Sequence, residues 1–126
     1  MIQAYLNTGY WVNTGLSDGL KRQQRWWRGP LEIELSELSR CCGPESKITF
    51  RVELGAWIER TNSLAQNMTN EPLEFPPLIV EYRQGSLVIC DGNTRHAVME
   101  RNGWQTCWVL IWYNSEVDYQ KHGKRL

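Results

Sequence analysis

The chain has 126 residues, 41% of them apolar, and its fourteen basic side chains balance fourteen acidic ones. That length suits one domain with its own core, burying roughly two-thirds of the surface its unfolded chain exposes. Zero net charge gives the whole molecule no pull toward nucleic acid or an anionic membrane.

No apolar run approaches the roughly 18 residues of a membrane-spanning helix. The opening MIQAYLNTGYW lacks the basic and apolar regions of a secretory signal. A cytoplasmic protein is expected, with its four cysteines as reduced thiols. None of them has the paired C-x-x-C spacing of a zinc site, so no metal is expected. The seven tryptophans read as packing residues, because each covers a large area of core.

Residues 1–30 read as an N-terminal arm or cap, and 31–126 as the domain. Ser17 or Asp18 can cap a short helix through LKRQQRWWR that stops at Gly29-Pro30, with Trp26 and Trp27 anchoring it. Lys21, Arg22, Arg25 and Arg28 have no acid among them. They suit a nucleic-acid backbone with a Trp stacked on a base; the plainer alternative is one solvated basic face.

Leu31 to Leu35 alternates apolar and charged residues, which predicts a half-buried strand. A loop with Cys41, Cys42, Gly43 and Pro44 follows. ITFRVEL alternates like a strand, yet Leu54, Trp57, Ile58, Thr61, Leu64 and Ala65 recur at helical spacing, and a helix over 55–66 is favoured. Pro72, Pro76 and Pro77 exclude a helix in the connector 67–77. Residues 78–82 and 86–90 then form two apolar strands around the short turn Arg83-Gln84-Gly85.

After the turn Asp91-Gly92-Asn93-Thr94-Arg95, a short helix runs through Ala97 and Val98 and stops at Gly103. Cys107 to Tyr113 is apolar on both faces and predicts an interior strand. The polar tail reads as a helix through VDYQKH. This order describes a compact α+β domain.

The turn at 91–96 carries the chemistry. It places a glycine between a buried strand and a helix start, where the leading N–H groups have no partner inside the helix and the dipole favours an anion. Gly92 lets an oxyanion approach the main chain. Asn93, Thr94 and His96 offer donors, and Arg95 offers a forked cation suited to phosphate. Asp91 either caps the helix or helps to hold a divalent cation beside phosphates. Physically, the same turn also suits a plain strand-to-helix connection.

The segments LEIELSEL, PPLIVEYRQGSLVICDGNTRHAVMERNG and WVLIW resemble ParB/sulfiredoxin-like domains over residues 31–113. The resemblance implies a small mixed sheet with helices packed on it. It also implies a nucleotide-phosphate site at the D-G-x-[HT]-R turn, matched here by Asp91, Gly92, Thr94 and Arg95. Asn93 stands where His is common.

Sulfiredoxins carry a reactive cysteine in a G-G-C-H-R turn, at the place taken here by Asn93, so that activity is not expected. Partition proteins of the ParB type bind CTP with an arginine pair, of which only Arg95 is matched. The turn is similar to that of free-serine kinases. That similarity implies a catalytic acid in the loop after the first strand, where Glu45 is the candidate to accept a hydroxyl proton; otherwise Glu45 is an ordinary loop carboxylate.

The expected ligand is a nucleotide (ATP, ADP or CTP, with Mg) or another phosphorylated small molecule. The expected role is a binding module, with nucleic acid as a partner through 21–28 in DNA, plasmid or phage maintenance. The alternative is a phosphotransferase or nucleotide hydrolase.

Overall fold

A computed structural model describes residues 24–45, 48–67 and 76–126. In chain order they form β1 (Trp26–Glu34), a 3₁₀ turn (Leu35–Glu37), β2 (Leu38–Arg40), β3 (Cys42–Gly43), β4 (Phe50–Arg51) and α1 (Leu54–Asn67). There follow β5 (Leu78–Arg83), β6 (Ser86–Asp91), α2 (Asn93–Arg101), β7 (Thr106–Tyr113) and α3 (Glu116–Gly123). Five strands make one mixed sheet in the order β1-β7-β5-β6-β2, and β3 and β4 form a separate two-stranded ribbon. The chain is an α+β domain, as the element order predicts.

Strand alternation sorts the core. Leu78, Val80 and Tyr82 of β5, Leu87 and Ile89 of β6, and Cys107, Val109, Ile111 and Tyr113 of β7 fall on one face. Leu64 of α1 and Val98 and Met99 of α2 join that cluster, and Tyr119 of α3 packs against it. All three helices therefore contribute to the same side of the sheet. β7 is interior, antiparallel to β1 and parallel to β5. Among the described residues no helix is long and apolar enough to cross a membrane.

The β5–β6 hairpin closes through Gln84 and Gly85, both at positive φ, 50° and 86°. That is the two-residue turn whose twist matches antiparallel strands. α2 ends as its sequence predicts. Gly103 takes φ 80°, and its N–H donates to the Glu100 carbonyl while that of Trp104 donates to Met99, the bonding pattern of a Schellman motif. In α3, the Ser115 hydroxyl accepts the Asp118 N–H at 3.2 Å and caps the first turn.

Several expectations need correction. The helix foreseen through LKRQQRWWR does not extend over its last residues, since Trp26, Trp27 and Arg28 are in β1 and pair with Tyr113, Trp112 and Ile111. The earlier part of that segment lies outside the described residues, as does most of the 67–77 connector. The loop after residue 35 is more ordered than foreseen. Its strand β2 lies parallel to β6, and its Cys42 and Gly43 pair with Phe50 and Arg51.

The ambiguity of ITFRVEL resolves at Glu53. Its carboxylate accepts the N–H groups of Gly55 and Ala56 at 2.9 and 3.1 Å, and these bonds hold its carboxyl below the usual range. The helix therefore begins at Leu54. Its buried stripe is narrower than the spacing suggests: Trp57, Thr61 and Leu64 are buried, whereas Leu54 and Ile58 are exposed.

Candidate functional site

β6 delivers the chain to the turn at Asp91, and α2 leaves it at Asn93. Between them Gly92 is the N-cap, in the left-handed region at φ 104°. A Cβ added there would stand 2.3 Å from Leu78 Cδ2. Glycine is thus required by the backbone conformation and by its closeness to the start of β5. Asp91 is the last residue of the strand and not the cap. As a glycine, the N-cap has no side chain with which to close this first turn, and helix geometry gives the leading amides of Asn93 and Thr94 no partner within α2.

The side chains of the turn divide into two groups. Asn93 is buried. Its Oδ1 accepts the N–H groups of Cys41 and Cys42 at 2.9 and 3.3 Å, and its Nδ2 donates to the Ile89 carbonyl at 3.3 Å. Arg95 is only 2% exposed, and its guanidinium donates to the Pro76 carbonyl at 2.8 Å and to Asp91 Oδ2 at 3.1 Å. His96 is buried too, with Nε2 3.1 Å from the Leu35 carbonyl. Because a carbonyl only accepts, Nε2 is the donor. Asn93, Arg95 and His96 therefore hold the turn from within. Thr94 and Gly92, both half-buried, form its outer part.

The loop carrying Glu45 is brought to this turn by the Asn93 bonds to Cys41 and Cys42. Glu45 itself is exposed and forms an ion pair with Arg40. Slight burial raises its pKa, but hydrogen bonds from Arg40 and its own amide outweigh that and leave the carboxyl below its ordinary value. A base for a hydroxyl proton works better with a raised pKa. Arg40 also donates to the Cys42 carbonyl at 3.4 Å and lies 5.2 Å from the Trp57 ring. No local signal marks Arg40, because its position beside the turn depends on the parallel pairing of β2 with β6.

The basic segment is partly drawn into the fold. Arg25 lies 4.8 Å from the Trp112 ring. Arg28 donates to the Tyr113 hydroxyl and the Tyr119 carbonyl, each at 3.1 Å. Lys21 and Arg22 lie outside the described residues. Among the cysteines, burial and the nearby Glu81 charge push the Cys90 thiol up to about 12, and burial pushes Cys107 to about 11. Both are thiols at neutral pH, which suits neither to nucleophilic redox chemistry.

No protein-family model and no curated protein matches the chain. Among solved structures it is similar to a structure of the C2221 form of a Pnob8-like ParB-N domain, with 15% sequence identity and a TM-score of 0.41. The likeness covers 80% of this chain and 33% of that one, so this chain spans about a third of that chain's length.

Proposed function

We propose that the chain is a ParB/sulfiredoxin-like binding module that takes the phosphate of a nucleotide, or of another phosphorylated small molecule, at the first turn of α2. The supporting observation is the N-cap: Gly92 is left-handed and places no side chain of its own over the leading amides of α2, and Thr94 stands beside it. Main-chain amides and the helix dipole supply the grip there. Thr94 adds a hydroxyl. Asp91, Asn93, Arg95 and His96 serve as positioning residues, holding the turn in shape from behind.

The resemblance of DGNTR to a nucleotide-phosphate turn favours a nucleotide, with Mg at its phosphates. Nucleic acid remains part of this reading through Lys21 and Arg22, in DNA, plasmid or phage maintenance. The enzymatic alternative, a phosphotransferase or nucleotide hydrolase with Glu45 as base, has less support because Arg40 already engages that carboxylate.

Titrating ATP, ADP, CTP and inorganic phosphate, with and without magnesium, tests the proposal. Thr94→Glu puts a charge at the helix start that suits the dipole but repels an anion. Affinity should fall at least about tenfold in this variant, roughly the value of one charge-assisted bond, while the melting temperature holds or rises. No binding to the wild-type chain at millimolar concentration overturns the reading.

A further inference from the structure

The two ends of β6 carry different features. The strand runs from Ser86 to Asp91, and at its Ser86 end, away from the 91–96 turn, a cleft of about 380 Å³ opens. Glu37, Ser39, Ser86, His122 and Arg125 are on its walls. We propose that this cleft binds a small monocarboxylate with a short apolar tail. Its volume lies in the lower part of the usual range for small-ligand sites.

His122 is held in place from behind. The residue is 8% exposed, its ring is 4.7 Å from that of Tyr82, and its Nδ1 is 2.5 Å from the Tyr113 hydroxyl. Arg28 donates to the same hydroxyl oxygen at 3.1 Å, so the hydroxyl hydrogen goes to Nδ1, which accepts. Burial, then the charges of Arg28 and Arg125, hold the ring pKa below its ordinary 6.5. The ring is therefore uncharged at neutral pH, with its one proton on Nε2. That N–H has no partner among the described residues, yet it is not one of their buried unpaired atoms. On a side chain that lines the cleft, it is a fixed donor presented to whatever enters.

The other donors are on the same walls. The Ser39 and Ser86 hydroxyls and the Arg125 guanidinium are exposed and take no other partner among the described residues. A guanidinium fork together with the imidazole N–H can address both oxygens of a carboxylate. A helix end normally disfavours an anion, but here the Gln120 and His122 carbonyls already accept the N–H groups of Lys124 and Arg125. Glu37 repels a second negative charge, which selects a monoanion over a phosphate dianion. Leu87 and Leu126 line the cleft as well and offer apolar surface to a short tail.

The test is a titration of the full chain at neutral pH with butyrate, with its neutral isostere butyramide, and with inorganic phosphate. Nuclear magnetic resonance of the His122 ring nitrogens and the Arg125 side chain is the readout. Saturable shifts with butyrate, none with butyramide, and binding of phosphate at least about tenfold weaker than that of butyrate are expected. Arg125→Gln changes an exposed side chain, so the fold stays intact, and it should weaken butyrate at least about tenfold. Equal shifts with butyrate and butyramide, no shift with butyrate, phosphate binding at His122 as strong as butyrate, or unchanged butyrate affinity in Arg125→Gln overturns the proposal. A ring proton found on Nδ1 in the ligand-free protein overturns it too. Phosphate held at the 91–96 turn shifts the Gly92 and Thr94 amides instead, so the two readings stand or fall separately.

Discussion

The side-chain oxygen of Asn93 accepts the main-chain N–H of Cys41 at 2.9 Å, across 52 residues of sequence. The same oxygen takes the Cys42 amide, and the amide nitrogen returns a bond to Ile89. One buried side chain thereby fixes the start of α2, the end of β6 and the 41–45 loop to one another. Asn93→Leu has similar bulk but leaves those main-chain groups unpaired. Stability should fall by about 2 kcal/mol or more, read from the midpoint of urea unfolding. A loss below about 0.5 kcal/mol, typical of surface changes, would show that water replaces the bonds.

Arg95 behaves in this structure as an internal tie. Arg95→Ala leaves Asp91 and the Pro76 carbonyl without its guanidinium. Removing one partner of a buried ion pair costs on the order of 3 kcal/mol. Asp91→Asn instead leaves the more buried charge, Arg95 at 3% exposed against 16% for Asp91, without its counter-charge, so it too should cost on this order. Denaturant unfolding of the two variants measures both losses.

The two glycines flanking α2 should differ in sensitivity. Gly92→Ala is strained by its positive φ and also drives a methyl group into Leu78 Cδ2. At Gly103 the φ is also positive, but nothing stands within 4 Å of the added carbon. Gly103→Ala should therefore cost only the left-handed backbone penalty, about 1 kcal/mol, and Gly92→Ala distinctly more. Equal melting temperatures for the two variants would contradict the packing of the turn against β5.

Acid should loosen α3. Arg28 can only donate to the Tyr113 oxygen, so the hydroxyl hydrogen is directed to His122 Nδ1, 2.5 Å away. Burial, then the charges of Arg28 and Arg125, hold the His122 pKa below its ordinary 6.5. The unfolded chain takes up this proton near pH 6.5, and the folded protein only at lower pH. The contribution is therefore fully present above about pH 6.5 and is lost as pH falls through the window beneath it. Stability measured between pH 7 and pH 5 should decline in the wild type and decline less in His122→Gln. Parallel slopes would remove His122 as the cause.

Local signals were legible in the sequence, and long-range ones were not. Gly85, Gly103 and the apolar runs at 78–82 and 86–90 placed the hairpin, the end of α2 and two strands, because each depends on neighbours within a few residues. The true extent of β1 was hidden, since Trp26 and Trp27 are ordered by pairing with Tyr113 and Trp112 and not by local propensity. Glu53 capped α1 where Ser, Thr, Asp or Asn is the usual sign. At the turn, the sequence presents Gly92 as clearance for an oxyanion, whereas its left-handed φ and its closeness to Leu78 are what require a glycine there. Composition could not show that Asn93, Arg95 and His96 face inward, because their partners come from distant loops.

The pairing of β1 with β7 also bears on how the chain assembles. Arg28 and Tyr113 are 85 residues apart, whereas the β5–β6 hairpin closes over two residues. Closing the long loop carries the larger entropic penalty, so the hairpin should organise early and the outer strand arrive late. Until then the indole side of β7 lacks its neighbour, and a folding intermediate would expose a strand edge open to pairing with another chain. Self-association during refolding, more than in the finished protein, is the hazard built into this topology.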